Sequence, residues 1–379
     1  MGQQLAGLES TSQVEKERFP ALDLFAGCGG MSIGLQKAGF TVLYANEVNK
    51  DAAATYKRNF KGVRLNLKDI RKVDTSAVFR SLGRPRVKLI AAGPPCQGFS
   101  SAGRRDPKDP RNLLYREVIR FVAKFRPHFV VVENVPGMLL RKKGRYVNAL
   151  ESDLRGLGYS AYHRLLLASR YGVPQDRQRL FIIGTLGDED EDELFPRELP
   201  WRVNVSQAIA DLAFLGNGEE SRLYLRSARS RYQSEMKADS QVLFNHKAPL
   251  HSDRVIRMFR SVPQGKNARS IAGREGMGKR VRFKLKPRGR SHTLTTLPED
   301  LIHYSRERIP TVRELARLQS FPDWFEFMGP RTTGGRARRS SCPQYTQVGN
   351  AVPPLLAEAV FSNLASLLRR GASRARYST

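Results

Sequence analysis

Cysteine is scarce: 379 residues hold three, Cys28, Cys96 and Cys342, with no C-x-x-C pair and no histidine at ligand spacing. This argues against a disulfide framework and a structural zinc site, so no metal is expected. No run of about 18 apolar residues occurs, and the N-terminus lacks the apolar stretch of a signal peptide. The start M-G-Q-Q-L-A lacks the Ser or Thr of a myristoylation signal. A soluble, intracellular chain with no membrane partner is therefore expected. The dinucleotide fingerprint G-x-G-x-x-G is also missing, which discourages a reading as an NAD-dependent oxidoreductase. Acidic residues are few, 36 Asp+Glu against 65 Lys+Arg, for a net charge of +29. Such an excess attracts polyanions. One acidic cluster, Asp188 to Glu193 (D-E-D-E-D-E), reads as an exposed loop between domains.

The first half alternates strand and helix signals. Apolar runs at Phe19–Phe25, Thr41–Asn46, Val63–Leu67, Val87–Ala92, Phe129–Val132 and Arg179–Ile183 read as strands. Helices are predicted near Met31–Ala38, Asp51–Asn59, Leu113–Phe125 and Tyr146–Leu157. Repeated βα units imply an α/β fold: a doubly wound, Rossmann-like parallel sheet with helices on both faces. Right-handed crossovers then put every strand's carboxyl end on one edge, with a crevice between strands 1 and 4. After Gly184 the alternation stops, and a smaller basic module follows. From Gly216 to Arg290 there are 19 Lys/Arg and 6 Asp/Glu, interleaved with aromatic residues, as a phosphate-tracking surface would be. Thr311-Val312-Arg313-Glu314 is a capping box. Pro353 to Arg370 reads as a final helix that needs the sheet as its partner surface.

The strand ends carry the chemistry. Gly93–Ser101 (G-P-P-C-Q-G-F-S-S) places Cys96 on a proline-stiffened turn after a core strand. A thiol held there suits a nucleophile better than a packing role. Asp23–Gly30 (D-L-F-A-G-C-G-G) is a strand leading into a glycine loop, whose small residues let a ligand approach the backbone. Glu47, at the end of the second strand, suits a ribose diol. Glu133 closes a strand in F-V-V-V-E-N-V, where desolvation favours its protonated form. Arg177 and Arg179 in Q-D-R-Q-R lie at i, i+2 and would point to one side, toward anionic or carbonyl oxygen.

In this order D-L-F-A-G-C-G-G, G-P-P-C-Q-G-F-S, E-N-V, Q-D-R-Q-R, R-E-L-A-R-L-Q-S-F-P (Arg313–Pro322) and Q-V-G-N-A-V-P-P (Gln347–Pro354) closely resemble the motifs of the DNA (cytosine-5) methyltransferases. The likeness spans about Leu22 to Pro354. It implies methyl transfer from S-adenosylmethionine to carbon 5 of a cytosine flipped out of duplex DNA. It gives Cys96 the attack on carbon 6, Glu133 the proton at ring N3, and Arg177 the steadying of the base, with Arg179 beside it. It places the cofactor on Asp23, Phe25, Ala26, Gly27 and Gly29, its ribose on Glu47, its adenine on Asp69 and Ile70, with Pro95, Asn350 and Val352 closing the pocket.

The resemblance further implies a catalytic domain at 18–185, a target-recognition domain at 186–342, and a returning C-terminal motif and helix at 343–371. S-H-T-L-T-T (Ser291–Thr296) resembles the family's regular stretch near the end of the recognition region, so base readout is expected within 216–290. The expected setting is a monomer in bacterial cytoplasm, bound to DNA, with or without a separately encoded restriction endonuclease. Gly329–Ser341 departs from the family pattern as a Gly/Arg-rich insertion and receives no role. Two rivals share the fold. An RNA cytosine methyltransferase of the tRNA-modifying branch would carry Cys-Phe-Thr in the recognition region, and this chain has no cysteine between Cys96 and Cys342. A catalytically silent DNA-binding relative would have lost the cysteine, the E-N-V acid or the glycine loop.

Overall fold

The computed structural model describes residues 18–95, 113–140, 144–268, 282–332 and 341–377, the last four as backbone only. Strands and helices alternate from the start: β1 (Phe19–Leu24), α1 (Gly30–Lys37), β2 (Phe40–Asn46), α2 (Lys50–Asn59), β3 (Arg64–Asn66), α3 (Thr75–Ser81), β4 (Leu89–Ala92), α4 (Tyr115–Phe125) and β5 (Phe129–Asn134). Next come α5 (Gly137–Leu140), α6 (Arg145–Gly156), β6 (Ser160–Leu167), β7 (Gln175–Asp176) and β8 (Gln178–Thr185). The basic half holds α7 (Glu191–Leu194), α8 (Val205–Ile209), α9 (Arg231–Lys237), α10 (Asp253–Ser261), β9 (Phe283–Lys284), β10 (Ser291–His292) and β11 (Leu301–Ile302). The chain closes with α11 (Val312–Leu318), α12 (Gln344–Asn350) and α13 (Pro354–Tyr377).

A 7-stranded sheet has the order β3-β2-β1-β4-β5-β8-β6. The order reverses between β1 and β4, which places a crevice beyond their carboxyl ends. The strand sequences are almost wholly apolar because both faces are covered. Ala21, Leu89, Ala91, Phe129 and Val131 pack toward α1 and α13, while Leu22, Leu24, Ile90, Ala92, Val130 and Val132 pack toward α4 and α6. The final helix thus finds its expected partner. It runs past Gly371 to Tyr377, because a glycine at a helix end is tolerated when no left-handed turn follows. Within Gln344–Ser373 lies an apolar window long enough to cross a membrane, but most of it is buried inside the protein.

Two expectations need correction. The sheet is not wholly parallel: β8 runs antiparallel to β5, and β6 antiparallel to β8. Strand β6, absent from the sequence reading, is an edge strand of mixed exposure whose S-A-Y-H-R-L-L-L shows no clean alternation. The antiparallel run brings the start of β8, not its carboxyl end, to the crevice. The acidic run is also not a free loop. Glu189 accepts from Thr185 and lies 3.2 Å from His128 Nε2, Glu191 and Asp192 pair with Arg164, and Asn363 donates to the Glu193 carbonyl.

The basic half does not stand apart from the sheet. One apolar cluster joins Ala26, Ile33, Tyr56 and Phe60 to Val205, Ile209, Leu294, Leu315, Phe321 and Val348. Helix α11 begins with the expected capping box: the Thr311 hydroxyl accepts from the Glu314 amide at 3.1 Å, and the Glu314 carboxylate accepts from the Thr311 amide at 2.8 Å. Arg308 donates both terminal nitrogens to Glu314, at 2.7 and 2.8 Å. His246 and His303 are buried against this pair. Burial pushes His246 down to about 4 and His303 down to about 3. Both rings stay neutral in the folded chain at pH values where unfolded histidine, with a pKa near 6.5, takes a proton. Stability is therefore expected to fall as pH drops from about 6.5 toward 4, at about 1.4 kcal/mol per pH unit for each ring. Urea midpoints measured across that window check it, and a flat profile would count against these two rings.

Candidate active site

Backbone strain marks the first wall of the crevice. Directly after β1, Phe25 (φ 58°), Gly27 (φ 57°) and Gly29 (φ 106°) adopt left-handed conformations. For Phe25 that conformation is costly, and such residues concentrate at functional sites. Gly29 is also required sterically, since a Cβ there would lie 2.2 Å from the Phe60 ring. Gly27 differs: a Cβ would meet nothing within 4 Å, so the loop faces open space. Ala26 donates to the Asn46 carbonyl, which ties the loop to the end of β2.

Glu47 staples the loop to α2. Its two oxygens accept from the Gly27 amide at 2.9 Å and the Asn49 amide at 2.7 Å. Burial pushes its pKa up, and these amide donors oppose the shift. Each carboxylate oxygen keeps a second lone pair for a hydroxyl. Asn46 donates to the carbonyls of Asn66 and Lys68, which sets Asp69 and buried Ile70 beside the same opening. Asp69 is gripped by Arg71, whose hydrogen bonds hold its carboxyl down at about 2.

Asp23 does not line the opening. Its side chain is buried, with Oδ2 accepting from Ser32 Oγ at 2.6 Å, while Ser32 Oγ lies 2.7 Å from the Tyr56 hydroxyl. Burial pushes this carboxyl up to about 7. Ser32 and Tyr56 carry no sequence signal, being ordinary helix residues until α1 and α2 meet.

The second wall is built from β4, β5 and β8. Gly93 donates to the Leu24 carbonyl. A Cβ on Gly93 would lie 3.8 Å from Glu133 Oε2 and 3.9 Å from the Phe25 carbonyl. These are ordinary contact distances, which place Gly93 beside both groups; the one tight neighbour of such a Cβ is the Met31 side chain, at 3.3 Å. Asn134 donates to the Pro94 carbonyl at 3.1 Å, and its own oxygen accepts from the Val135 amide. The E-N-V asparagine thus fixes the proline turn. Pro95 ends the described segment; Cys96 lies outside the described residues.

Glu133 is 9% exposed and forms an ion pair with Arg179, whose Nε lies 2.9 Å from Oε1. Burial raises its pKa, and the positive charges of Arg179 and Arg177 act against that rise. The two arginines do not point the same way. Arg177, expected to steady a base, is fully buried and donates to the carbonyls of Leu294, Gly349 and Ala351. Arg179 is the one that faces Glu133. The difference arises because β7 pairs with β10 rather than continuing β8, so Arg177 sits at the break between two ladders.

Q-D-R-Q-R is also a fastener for the last motif. Gln175 accepts from the Leu294 amide and donates to Gln319, while Gln319 donates to the Ala351 carbonyl at 2.6 Å. Val352 reaches the start of α1, just after the glycine loop: a Cβ on Gly30 would sit 2.3 Å from the Val352 carbonyl oxygen. Asn350 next to it is exposed. Gln347 binds Thr55, Met328 and Cys342 at 2.6 to 3.0 Å, and so locks Q-V-G-N onto α2. The structure gathers Phe25–Gly29, Glu47, Asp69, Ile70, Pro95, Glu133, Arg179 and Val352 around one crevice. It leaves Asp23 and Arg177 behind its walls.

Comparison with known proteins agrees. The family model described as C-5 cytosine-specific DNA methylase matches residues 19–366. The type II methyltransferase M.DdeI of Desulfomicrobium norvegicum is 37% identical over 366 residues, covering 89% of this chain and 86% of that protein. The type II methyltransferase M1.HphI of Haemophilus parahaemolyticus is 34% identical and covers 89% of this chain and 84% of its own length. A crystal structure described as a prophage-encoded DNA modification methyltransferase (E. coli) superposes with a TM-score of 0.77 at 28% identity, over 93% of this chain and 99% of that one. The S. pombe Dnmt2 methyltransferase shares the fold at 18% identity and a TM-score of 0.56. With its motifs, sheet order and relatives in agreement over nearly its whole length, the chain belongs to the C-5 cytosine-specific DNA methylase family.

Proposed function

We propose that this protein transfers a methyl group from S-adenosylmethionine to carbon 5 of a cytosine flipped out of a specific duplex DNA sequence, through a covalent adduct on Cys96. The observation that carries the reading is Glu133. It is a buried carboxyl with its pKa pushed up by burial, ion-paired to Arg179, and adjacent to the proline turn that bears Cys96.

The crevice fits the cofactor. Open space beside Gly27 admits a ligand against the backbone, Glu47 presents free lone pairs for a ribose diol, and half-buried Phe25 offers apolar surface for a base, with Ile70 packed in the core behind Asp69. Asp69, Pro95 and Val352 complete that lining. When bound, S-adenosylmethionine supplies an electrophilic methyl group.

Everything else falls to the chain. The Cys96 thiolate adds to C6 of cytosine, and the displaced π electrons make C5 nucleophilic. Glu133 passes or holds a proton at N3 as that charge develops. Arg179 steadies the carboxylate left behind. Once C5 is methylated, water takes the C5 proton, the C6–S bond breaks and the thiolate returns. The flipped base is a geometric necessity, because these groups cannot reach C5 and C6 inside a stacked duplex. Sequence readout is assigned to 216–290, of which 269–281 lies outside the described residues. The reading carries with it a monomer acting in bacterial cytoplasm, with a cognate restriction endonuclease suggested by the type II relatives.

The test is transfer of labelled methyl from S-adenosylmethionine to duplex DNA and to tRNA in parallel. Label at C5 of cytosine in DNA alone is the expected result. Label in RNA alone, or in neither, rejects the proposal.

A further inference from the structure

Positive charge is also concentrated outside the basic half. Residues 57–88 hold eleven Lys/Arg and two Asp, a net of +9 over 32 residues, against +13 over the 75 residues 216–290. The fold sorts these charges by sheet edge. Helices α2, α3 and α4 each return from the carboxyl edge, so their last turns lie at the amino edge. Lys57, Arg80 and Lys124 stand in those last turns. Lys61 lies between α2 and β3, Arg64 opens β3, and Arg84 and Arg86 precede β4.

Contacts make this one surface. Arg64 donates to the Ser81 carbonyl at the end of α3, and Lys124 Nζ lies 5.0 Å from the Phe79 ring centroid beside Arg80. Lys57, Lys61, Arg64, Arg80, Arg84 and Arg86 are all exposed. The two acidic residues, Asp69 and Asp74, cap the starts of helices on the carboxyl side and do not neutralise this belt. Complementing helix dipoles accounts for Lys57, Arg80 and Lys124. A charged edge strand that discourages sheet extension accounts for Arg64. Neither explains Lys61, Arg84 and Arg86, which sit in connections.

Building on the reading that the crevice takes duplex DNA, we infer that this amino-edge belt is a second duplex DNA site that holds a separate DNA segment by its phosphates. The belt lies at the opposite ends of the strands from Glu47 and Glu133, about 20 Å away for a six-residue strand. A straight duplex seated in the crevice does not reach it. The belt therefore serves a neighbouring segment of the same long DNA, which raises the local concentration of sites and favours transfer between segments.

The variant Lys61→Glu/Arg80→Glu/Arg84→Glu/Arg86→Glu tests this, since none of the four touches the crevice. At low salt, the wild-type protein is expected to bind two copies of a short specific duplex and the variant one, read by sedimentation of labelled DNA. Methyl transfer on the short duplex is expected to stay within about twofold, while kcat/KM on long DNA falls several-fold. In the wild type the second binding event is expected to weaken with salt at a log–log slope of at least about 3 to 4, four phosphate contacts at roughly 0.9 each, and in the variant that event is expected to be absent. Should the Glu variant not fold, the Gln versions at the same positions carry the same expectation with smaller loss. One duplex per wild-type molecule, or two per variant, overturns the inference. So does a second site that anionic phosphatidylserine vesicles occupy and DNA does not. No duplex bound by the wild type overturns instead the reading of the crevice.

Discussion

Serine in place of Cys96 is expected to reduce methyl transfer by on the order of 10⁴-fold or more, the scale on which removal of a covalent nucleophile acts. A hydroxyl at that position is protonated at neutral pH and lacks the polarisable anion that adds to C6. Binding of duplex DNA should persist, because it rests on phosphate contacts far more numerous than one thiol. Glu133→Gln offers the graded comparison. It keeps the shape and the Arg179 contact but cannot release a proton, so a loss of about 10²- to 10⁴-fold is expected, the range for a positioned proton-transfer group. The pH profiles separate the two. Burial raises the Glu133 pKa, so the donor form is depleted as pH climbs through that raised value and activity should fall on the alkaline side. Arg179 stabilises the carboxylate, so Arg179→Met should move that alkaline limb to still higher pH. A Cys96→Ser protein with wild-type single-turnover rates would end the covalent mechanism. An unmoved limb in Arg179→Met would end the assigned role of the Arg179–Glu133 pair.

The first half of this architecture is written plainly in the chain because parallel strands buried on both faces must be apolar throughout. Leu89–Ala92 and Phe129–Asn134 are fully buried, and their ends are marked by Gly-Pro-Pro and Glu-Asn. Glu47 and Glu133 were legible for the same reason, as acids directly after apolar runs. Strand β6 was not legible: as an edge strand of mixed exposure it alternates poorly. The reversal at β8 was hidden too, since strand direction depends on connections rather than on local pattern. That reversal decides which arginine meets Glu133, so spacing alone could not order Arg177 and Arg179. Residues acting through distant partners, such as Ser32 and Tyr56, become informative only when helices far apart in sequence pack together. Cys96 and most of Gly329–Ser341 lie outside the described residues.

Arg317→Met is expected to cost about 3–5 kcal/mol of folding stability, the range for breaking a buried ion pair from one side. Arg317 is wholly buried, and its guanidinium is spent completely on Asp323, Asp211 and the Ala208 carbonyl, at 2.6 to 3.1 Å. Asp323 also accepts from the Tyr224 hydroxyl, and its amide donates to the Met236 carbonyl. One side chain on α11 thereby holds α8, the end of α9 and the Tyr224 loop, the framework on which the 216–290 surface is mounted. Burial pushes Asp323 up, but Arg317 and Arg313 overcome it and hold the carboxyl below its usual range. Without Arg317 both aspartates are buried charges lacking their main partner, and folding raises their pKa values above those of the unfolded chain. A group raised on folding favours the native state below its unfolded pKa and disfavours it above. The deficit should therefore be largest near neutral pH and narrow on acidification toward pH 4, the opposite trend from the wild-type histidines. Urea midpoints at several pH values read this directly. Adding Asp211→Asn and Asp323→Asn to Arg317→Met should recover part of the loss, since neutral amides cost less to bury than unpaired carboxylates. If the triple variant is no more stable than Arg317→Met, lost packing rather than stranded charge holds this junction together.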